Sequence, residues 1–454
     1  MVRELPTASG LGEAMSEVSR ARQAAFSILK TLENHGHSDT LLRGRNVDAL
    51  SDVDRGLATA LVLGVLRWQI DLDRRIRPLL KHPNAKLDLE VLIALRLGAF
   101  QMLHMERIPA RAAIDESVEL TKLAGHKFAS GMVNAVLRRL AAAPRAASPG
   151  GARTAYPAWM VERWNDLYGE DATSAICRYG QQQPSIHVRL SGDAVEDELV
   201  AEGIELAPDE FLATSRSVIS GDVTKTTAFL SGRIRIQDEG SQLIAELALR
   251  GARILDCCAA PGGKTLILAE RNPDAKIVAH DGNEQRLSQL RKRLESLSER
   301  VECRLADATQ LSDEAAFEVV LADVPCSGTG TLGRNPEIRH RLRPEDLPGQ
   351  ASRQKAILQS ALRALRSGGH VLYSTCSLEP EENEQVIQAV LAQSTNARLV
   401  PLQSRIEELL TEGILTQSGA ERLSQSLTSQ GYLRLIPGAF HTDGFFAALI
   451  EKMC

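Results

Sequence analysis

From residue 16 to about 143, apolar residues recur every three or four positions, as at Val91, Leu92, Leu95, Ala99 and Leu103. This spacing predicts helices, each burying one stripe. Polar helix starters such as Ser51 precede several of the runs, so the segment reads as an all-α domain. The string AAAPRAASPGGARTAYP, residues 141–157, has the small-residue, Pro- and Gly-rich composition of a linker and places a boundary near 145. Helical spacing returns over 157–180. Beyond it, short β-type runs, Ile186–Leu190 and Ile234–Ile236, alternate with short helical ones and predict a small α+β connector over 156–235. After Gly251 five apolar strand runs, ARILDCC, KIVAH, VECRL, FEVVLAD and HVLYSTC, are each followed by a turn or helix. Near-continuous apolar strands separated by helices predict a parallel sheet covered on both faces. Two last runs, 432–436 and 445–450, lie too close together for a helical crossover and predict an antiparallel hairpin. The expected organisation is multidomain: an all-α domain at 16–143, a small α+β connector at 156–235 and a Rossmann-like α/β domain at 236–454.

Bulk properties narrow the function classes. At about 150 residues per domain, 454 residues hold about three domains. The longest apolar-rich run, residues 58–66, falls far short of the roughly 20 residues that span a bilayer, and MVRELPTASG lacks a charged-then-apolar leader. A soluble protein with no membrane partner is expected, a monomer in the cytoplasm. The seven cysteines are odd in number and show no C-x-x-C spacing, which disfavours a zinc site and a disulfide framework and fits a reducing compartment. No metal is expected. The formal charge of -5 does not point to nucleic acid, although residues 1–145 carry 21 Lys+Arg against 16 Asp+Glu.

Doubly wound sheets bind ligands where strands end, so the residues after each strand are the candidates. The first strand runs into DCCAAPGGKT, residues 256–265. Its Cys258, Ala259, Ala260, Pro261, Gly262, Gly263 and Lys264 form a loop in which the glycines admit a ligand close to the backbone and the following helix offers free N–H groups to an anion. A P-loop would need Gly where Cys258 stands, which excludes the nucleotide triphosphate reading. The second strand ends at Asp281, placed to take ribose hydroxyls, with Arg286 beyond it, and the third is followed by Asp307, placed to accept from an adenine amino group. Each acid alone is an ordinary loop residue as often as a ligand. Three at successive strand ends resemble the S-adenosylmethionine site of methyltransferases, where the glycine loop would receive the methionyl carboxylate.

The fourth and fifth strands end in thiols, Asp323-Val-Pro-Cys326 and Ser374-Thr-Cys376. Cysteine is commonly buried as a small hydrophobe, the default for Cys177 and Cys303, but two thiols at neighbouring strand ends point to chemistry. Placement alone does not order their roles.

The strings DCCAAPGGKT, DVPCSGTG and STCSLEPEEN, flanked by IQDEGSQ, RNPEIRHR and DGFFAALIEK, resemble the signatures of the RNA 5-methylcytosine methyltransferase family. LRLGAFQMLHMERIPARAAIDESVEL and GMVNAVLRRL are similar to the NusB-like RNA-binding domain of one branch, which acts on bacterial 16S ribosomal RNA. Val324, Cys257 and His340 depart from the family pattern without touching a reactive group. The resemblance implies S-adenosylmethionine as cofactor, Cys376 as nucleophile and Cys326 as the residue that promotes product release. Gln237 and Asp238, in IQDEGSQ, are expected to position the fold rather than react.

Cytosine C5 accepts a methyl group only after a nucleophile adds at C6, and a free thiol with a pKa near 8.5 is only a few per cent thiolate at neutral pH. Lys264 would supply positive charge, and Asp323 would hold the N3–N4 edge of the base. The C5 proton must leave before the thiol is expelled, which calls for a base such as a second thiol or a water. Arg138, Arg139, Arg334, Arg339, Arg341 and Arg343 are candidate phosphate contacts, with solvated surface arginine the equal alternative for each. Aromatics make up 4% of the chain, which favours recognition of folded RNA by shape and backbone over base stacking. A transfer-RNA-modifying relative and a non-catalytic RNA-binding assembly factor remain the alternatives.

Overall fold

The computed structural model describes residues 18–34, 36–143, 151–192 and 194–453. The N-terminal decapeptide, the middle of the expected linker at 144–150 and Cys454 lie outside the described residues. The chain divides into two compact units, Met1–Pro157 and Ala158–Cys454.

The first unit is helical. Its long helix, Asp52–Ile76, starts where Ser51 accepts a hydrogen bond from the Asp54 amide at 3.2 Å, the N-cap expected from sequence. Helix Leu89–His104 is buried on nearly all sides: Val91, Ile93, Leu95, Leu97 and Ala99 all enter the core, together with Leu61, Val65 and Leu137. Close approach of the two helices depends on Gly64, where an added Cβ would lie 1.9 Å from the Phe100 ring. The buried Arg96 is tolerated because Asp73 takes it in a two-pronged pair, at 2.8 and 2.7 Å, and Glu33 closes the third side at 2.9 Å.

The second unit contains both segments expected as connector and catalytic domain. Strands β1 (Ile186–Leu190), β2 (Glu205–Pro208), β3 (Ser215–Ser220) and β4 (Ile234–Ile236) make an antiparallel sheet in the order β2-β3-β1-β4. Its own small core gathers Val188, Leu190, Leu199 and Ile234. Next come β5 (Arg253–Asp256), β6 (Lys276–Asp281), β7 (Val301–Leu305), β8 (Phe317–Asp323) and β9 (Leu365–Thr375), then β10 (Ala397–Val400), β11 (Leu433–Leu435) and β12 (Phe445–Lys452). They form one mixed sheet, β10-β12-β9-β8-β5-β6-β7, with β11 paired to β12. Strands β5 to β9 pair parallel with one another, as their apolar runs predict.

Side chains alternate across this sheet. Ile254, Leu321 and Leu372 point into one core, while Leu255, Ala322 and Tyr373 point into another. Covering both faces explains why the runs read as continuous rather than alternating. Strand β12 is antiparallel to β9, and the expected hairpin forms between β11 and β12. The sequence did not reveal β10, which pairs antiparallel outside β12 and makes β12 an interior strand. Among the described residues no helix is long and apolar enough to cross a membrane.

Candidate active site

Parallel pairing brings the ends of β5, β6, β8 and β9 to one edge, and with them Asp256, Asp281, Asp323 and the approach to Cys376. The glycine loop follows β5. Gly262 has φ +99°, a conformation natural to glycine, and a Cβ there would lie 2.7 Å from Leu290, so the loop can turn into helix Gly263–Arg271 only without a side chain. At its base Thr265 donates to Asp256 at 2.7 Å. Burial pushes the Asp256 carboxyl up to about 7, against the lowering effect of that hydrogen bond.

Two adjoining hollows flank the loop. One, of about 120 Å³, is lined by Gln237, Ser241, Asp256, residues 258–261, Gly263, Lys264, Arg293 and Asp323. Gln237 presents there a buried Oε1 without a hydrogen-bond partner. The other, of about 790 Å³, is lined by Cys258, Asp281, Arg286, Asp307, Pro325 and Arg353, among others. The structure therefore brings the expected glycine loop and all three strand-end acids to one continuous region. Asp281 is buried and accepts from the Asn283 amide at 2.9 Å, with the Arg286 guanidinium 3.5 Å away. Arg286 also donates to the Ala260 carbonyl at 2.5 Å, so it braces the loop as well as lining the hollow. The Asp307 carboxyl is held below its usual range by hydrogen bonds from the Thr309 amide and hydroxyl.

The thiols meet. Cys326 Sγ and Cys376 Sγ are 3.4 Å apart, each partly buried. Beside them Lys264 Nζ contacts Asp323 Oδ2 at 2.8 Å, and Ser374 Oγ donates to Asp323 Oδ1 at 2.8 Å. Burial opposes the charge on Lys264, but Asp323 outweighs it and holds the ammonium above its ordinary range. Lys264 thus stays a cation in a half-buried setting, close enough to Cys376 for its charge to act there. The Cys326 thiol is pushed up by its contact with Cys376 and by burial. Burial also raises Cys257, Cys258 and Cys303, and Cys177 is wholly enclosed, so these four are poor thiolate donors.

Two of the expected phosphate contacts are corrected. Arg339 is 1% exposed, with its guanidinium on the Gly180 and Leu332 carbonyls at 3.1 Å each, so it braces its loop from within. Arg334 is held by Asp443 at 2.8 Å and by Asp238 at 2.9 Å, and also donates to the Ser185 carbonyl at 3.1 Å. Opposite charges from two distant sequence segments have pulled this arginine inward. Asp238 also caps helix Glu239–Leu247 through the Ser241 amide at 3.3 Å, consistent with a positioning role. Arg341 and Arg343 are exposed, as are Arg138 and Arg139 in the helical unit.

Sequence reasoning missed Arg353, which reaches the larger hollow from helix Leu347–Ala364, and the carboxylate Glu382. The only sequence signal for Glu382 was its place in STCSLEPEEN, next to a proposed nucleophile.

Comparison with known proteins finds relatives of both units. A family model described as 16S rRNA methyltransferase RsmB/F matches residues 247–451, and a NusB family model matches residues 19–142. The probable ribosomal RNA small subunit methyltransferase B of Bacillus subtilis is 30% identical, over 96% of this chain and 100% of that one. The ribosomal RNA small subunit methyltransferase B of Xanthomonas campestris is 32% identical, over 95% and 97% respectively. The crystal structure of PH0851 has a similar fold, with a TM-score of 0.76 at 24% identity over 95% of this chain and 98% of that one.

Proposed function

We propose that this chain, which belongs to the 16S rRNA methyltransferase RsmB/F family, methylates C5 of a cytosine through a covalent bond from Cys376 to C6. The reaction uses S-adenosylmethionine, and the substrate is ribosomal RNA. When bound, S-adenosylmethionine supplies the electrophilic methyl group. The site fits it: the glycine loop and the N-terminus of helix Gly263–Arg271 suit a carboxylate, the partnerless Gln237 oxygen suits an ammonium, and Asp281 and Asp307 suit a ribose and an adenine.

The observation that carries the reading is the 3.4 Å contact between two thiols beside a half-buried Lys–Asp pair. Attack of a Cys376 thiolate on C6 moves electron density onto C5 and N3. Asp323, fixed by Lys264 and Ser374, is placed to hold the base edge as that charge develops. Once C5 carries the methyl group its proton must go to a base, either a water or the adjacent Cys326 sulfur after that thiol has passed its own proton to solvent. Loss of that proton re-forms the C5–C6 double bond and expels the Cys376 sulfur. The target base has to leave its stack to reach these sulfurs, at a cost of about a few kcal/mol, which an unpaired cytosine in folded RNA minimises. The NusB-like unit serves in this reading as the RNA-binding part.

With ribosomal RNA as substrate, Cys376→Ala should abolish methylation and form no adduct. Cys326→Ala should accumulate an enzyme–RNA complex that survives denaturing electrophoresis. The opposite pattern would reverse the two roles.

A further inference from the structure

The two thiols are chemically alike and touch each other, yet the proposed reaction needs one to attack and the other to wait. One buried side chain distinguishes them. Glu382 is 0% exposed and accepts from four donors. Its Oε1 takes the Ser327 amide at 2.8 Å and the Gln354 amide group at 2.9 Å. Its Oε2 takes the hydroxyls of Ser327 and Ser377. Four donors on two oxygens, two of them N–H groups that cannot turn into acceptors, are the pattern of a carboxylate rather than a carboxylic acid. Gln354 also donates to the Pro325 carbonyl at 2.9 Å. Ser327 and Ser377, the residues that follow the two cysteines, therefore converge on one carboxylate, to which Gln354 ties Pro325. Its neighbour Asn383 secures the second loop, accepting from Thr375 at 2.5 Å and donating to the Ser377 carbonyl at 2.9 Å.

We propose that Glu382 is a positioning residue that makes the two thiols unequal: its buried charge keeps their shared proton on Cys326 and leaves Cys376 to carry the negative charge. The surroundings divide in the same sense. Cys326 faces Glu382 and the Tyr373 phenol, whereas Cys376 faces the Lys264 cation, which is itself paired with Asp323. Tyr373 adds no charge and is itself tied to the Glu382 carbonyl at 2.6 Å. Removing a proton from the pair leaves one negative charge between two sulfurs at 3.4 Å, and a fixed anion on one side and a fixed cation on the other decide where it rests. The Cys326 thiol is held up by Cys376 and burial first, with Glu382 adding to them.

This inference rests on the proposed thiol chemistry but is tested without RNA or cofactor. The rate of iodoacetamide alkylation is followed against pH in the full-length protein and read at the Cys326 peptide by mass spectrometry, in Cys376→Ser with and without Glu382→Gln. Glutamine keeps the size and an oxygen for the N–H donors while removing the charge. It should move the Cys326 profile acidward by about one pH unit, a roughly tenfold faster alkylation on the rising limb. An unmoved profile overturns the proposal. Ser377→Ala, which loses one donor and keeps the charge, should leave the profile in place; a shift as large as that of Glu382→Gln would reduce Glu382 to a structural brace and overturn it equally. A second measurement does not depend on Glu382→Gln folding. Near neutral pH, Cys376 in a Cys326→Ser protein should react about ten times faster than Cys326 in a Cys376→Ser protein, and equal or reversed rates refute the asymmetry. Failure here leaves the cytosine reaction standing, and failure of the RNA adduct assay leaves the thiol asymmetry standing.

Discussion

At the scale of the residue, the site is built on charges that water would otherwise dissipate. Asp256 shows the consequence for stability. Burial raises its carboxyl from about 3.8 to about 7, so between those values the folded protein holds a proton that the unfolded chain has released. Stability therefore falls as pH rises through that window and levels off above it. Asp256→Asn should flatten this part of the curve: denaturant titrations near pH 5 and pH 8 should differ less for the variant than for the parent. An equal difference in both proteins would remove Asp256 as the source. Residues whose place follows from a strand end were legible in the sequence, as with the glycine loop, the three acids and the two cysteines. Glu382 and Arg353 were not, because each acts from a neighbouring element that only packing brings near. Arg334 and Arg339 misled for the same reason: an arginine in a loop looks solvated until its internal partners are known.

At the scale of the element, local rules were read well where one signal dominated. Ser51 starts the helix it was expected to start, and Ser51→Ala should lower the stability of the helical unit by about 1 kcal/mol, seen as an earlier thermal transition. No change in midpoint would mean that Asp52 and Asp54 in the first turn suffice. The β5 to β9 runs were equally plain, since strands covered on both faces are apolar throughout. Strand β10 and helices Gln403–Thr411 and Gln417–Gln425 were not resolved by pattern. Their runs are short, and β10 has two half-buried leucine and valine positions rather than a fully apolar core. Strand pairing with β12, a long-range event, decides its conformation.

At the scale of the whole molecule, composition announced a boundary near 145 and the structure divides after Pro157, with the Pro- and Gly-rich stretch between. A role for the helical unit in holding RNA makes a quantitative demand. Arg138 and Arg139 are exposed on helix Ser130–Ala142. If both reach phosphates, replacing both with alanine should weaken RNA binding and make the plot of log affinity against log salt shallower by roughly 1.5. An unchanged slope would assign them to the surface alone. The sheet of the second unit carries one more implication, for biosynthesis. Strand β12 is interior and pairs along the whole end of β9 that leads to Cys376, and Gly444 donates to the Gly330 carbonyl at 2.8 Å, beside the loop that carries Cys376. A ribosome delivers β9 about 70 residues before β12, an interval of roughly 4 to 14 s at ordinary elongation rates. Throughout that interval β9 is an open edge and the catalytic edge of the sheet lacks one wall. The nascent sheet is thus most exposed to mispairing along β9 until β12 has left the ribosome and docked.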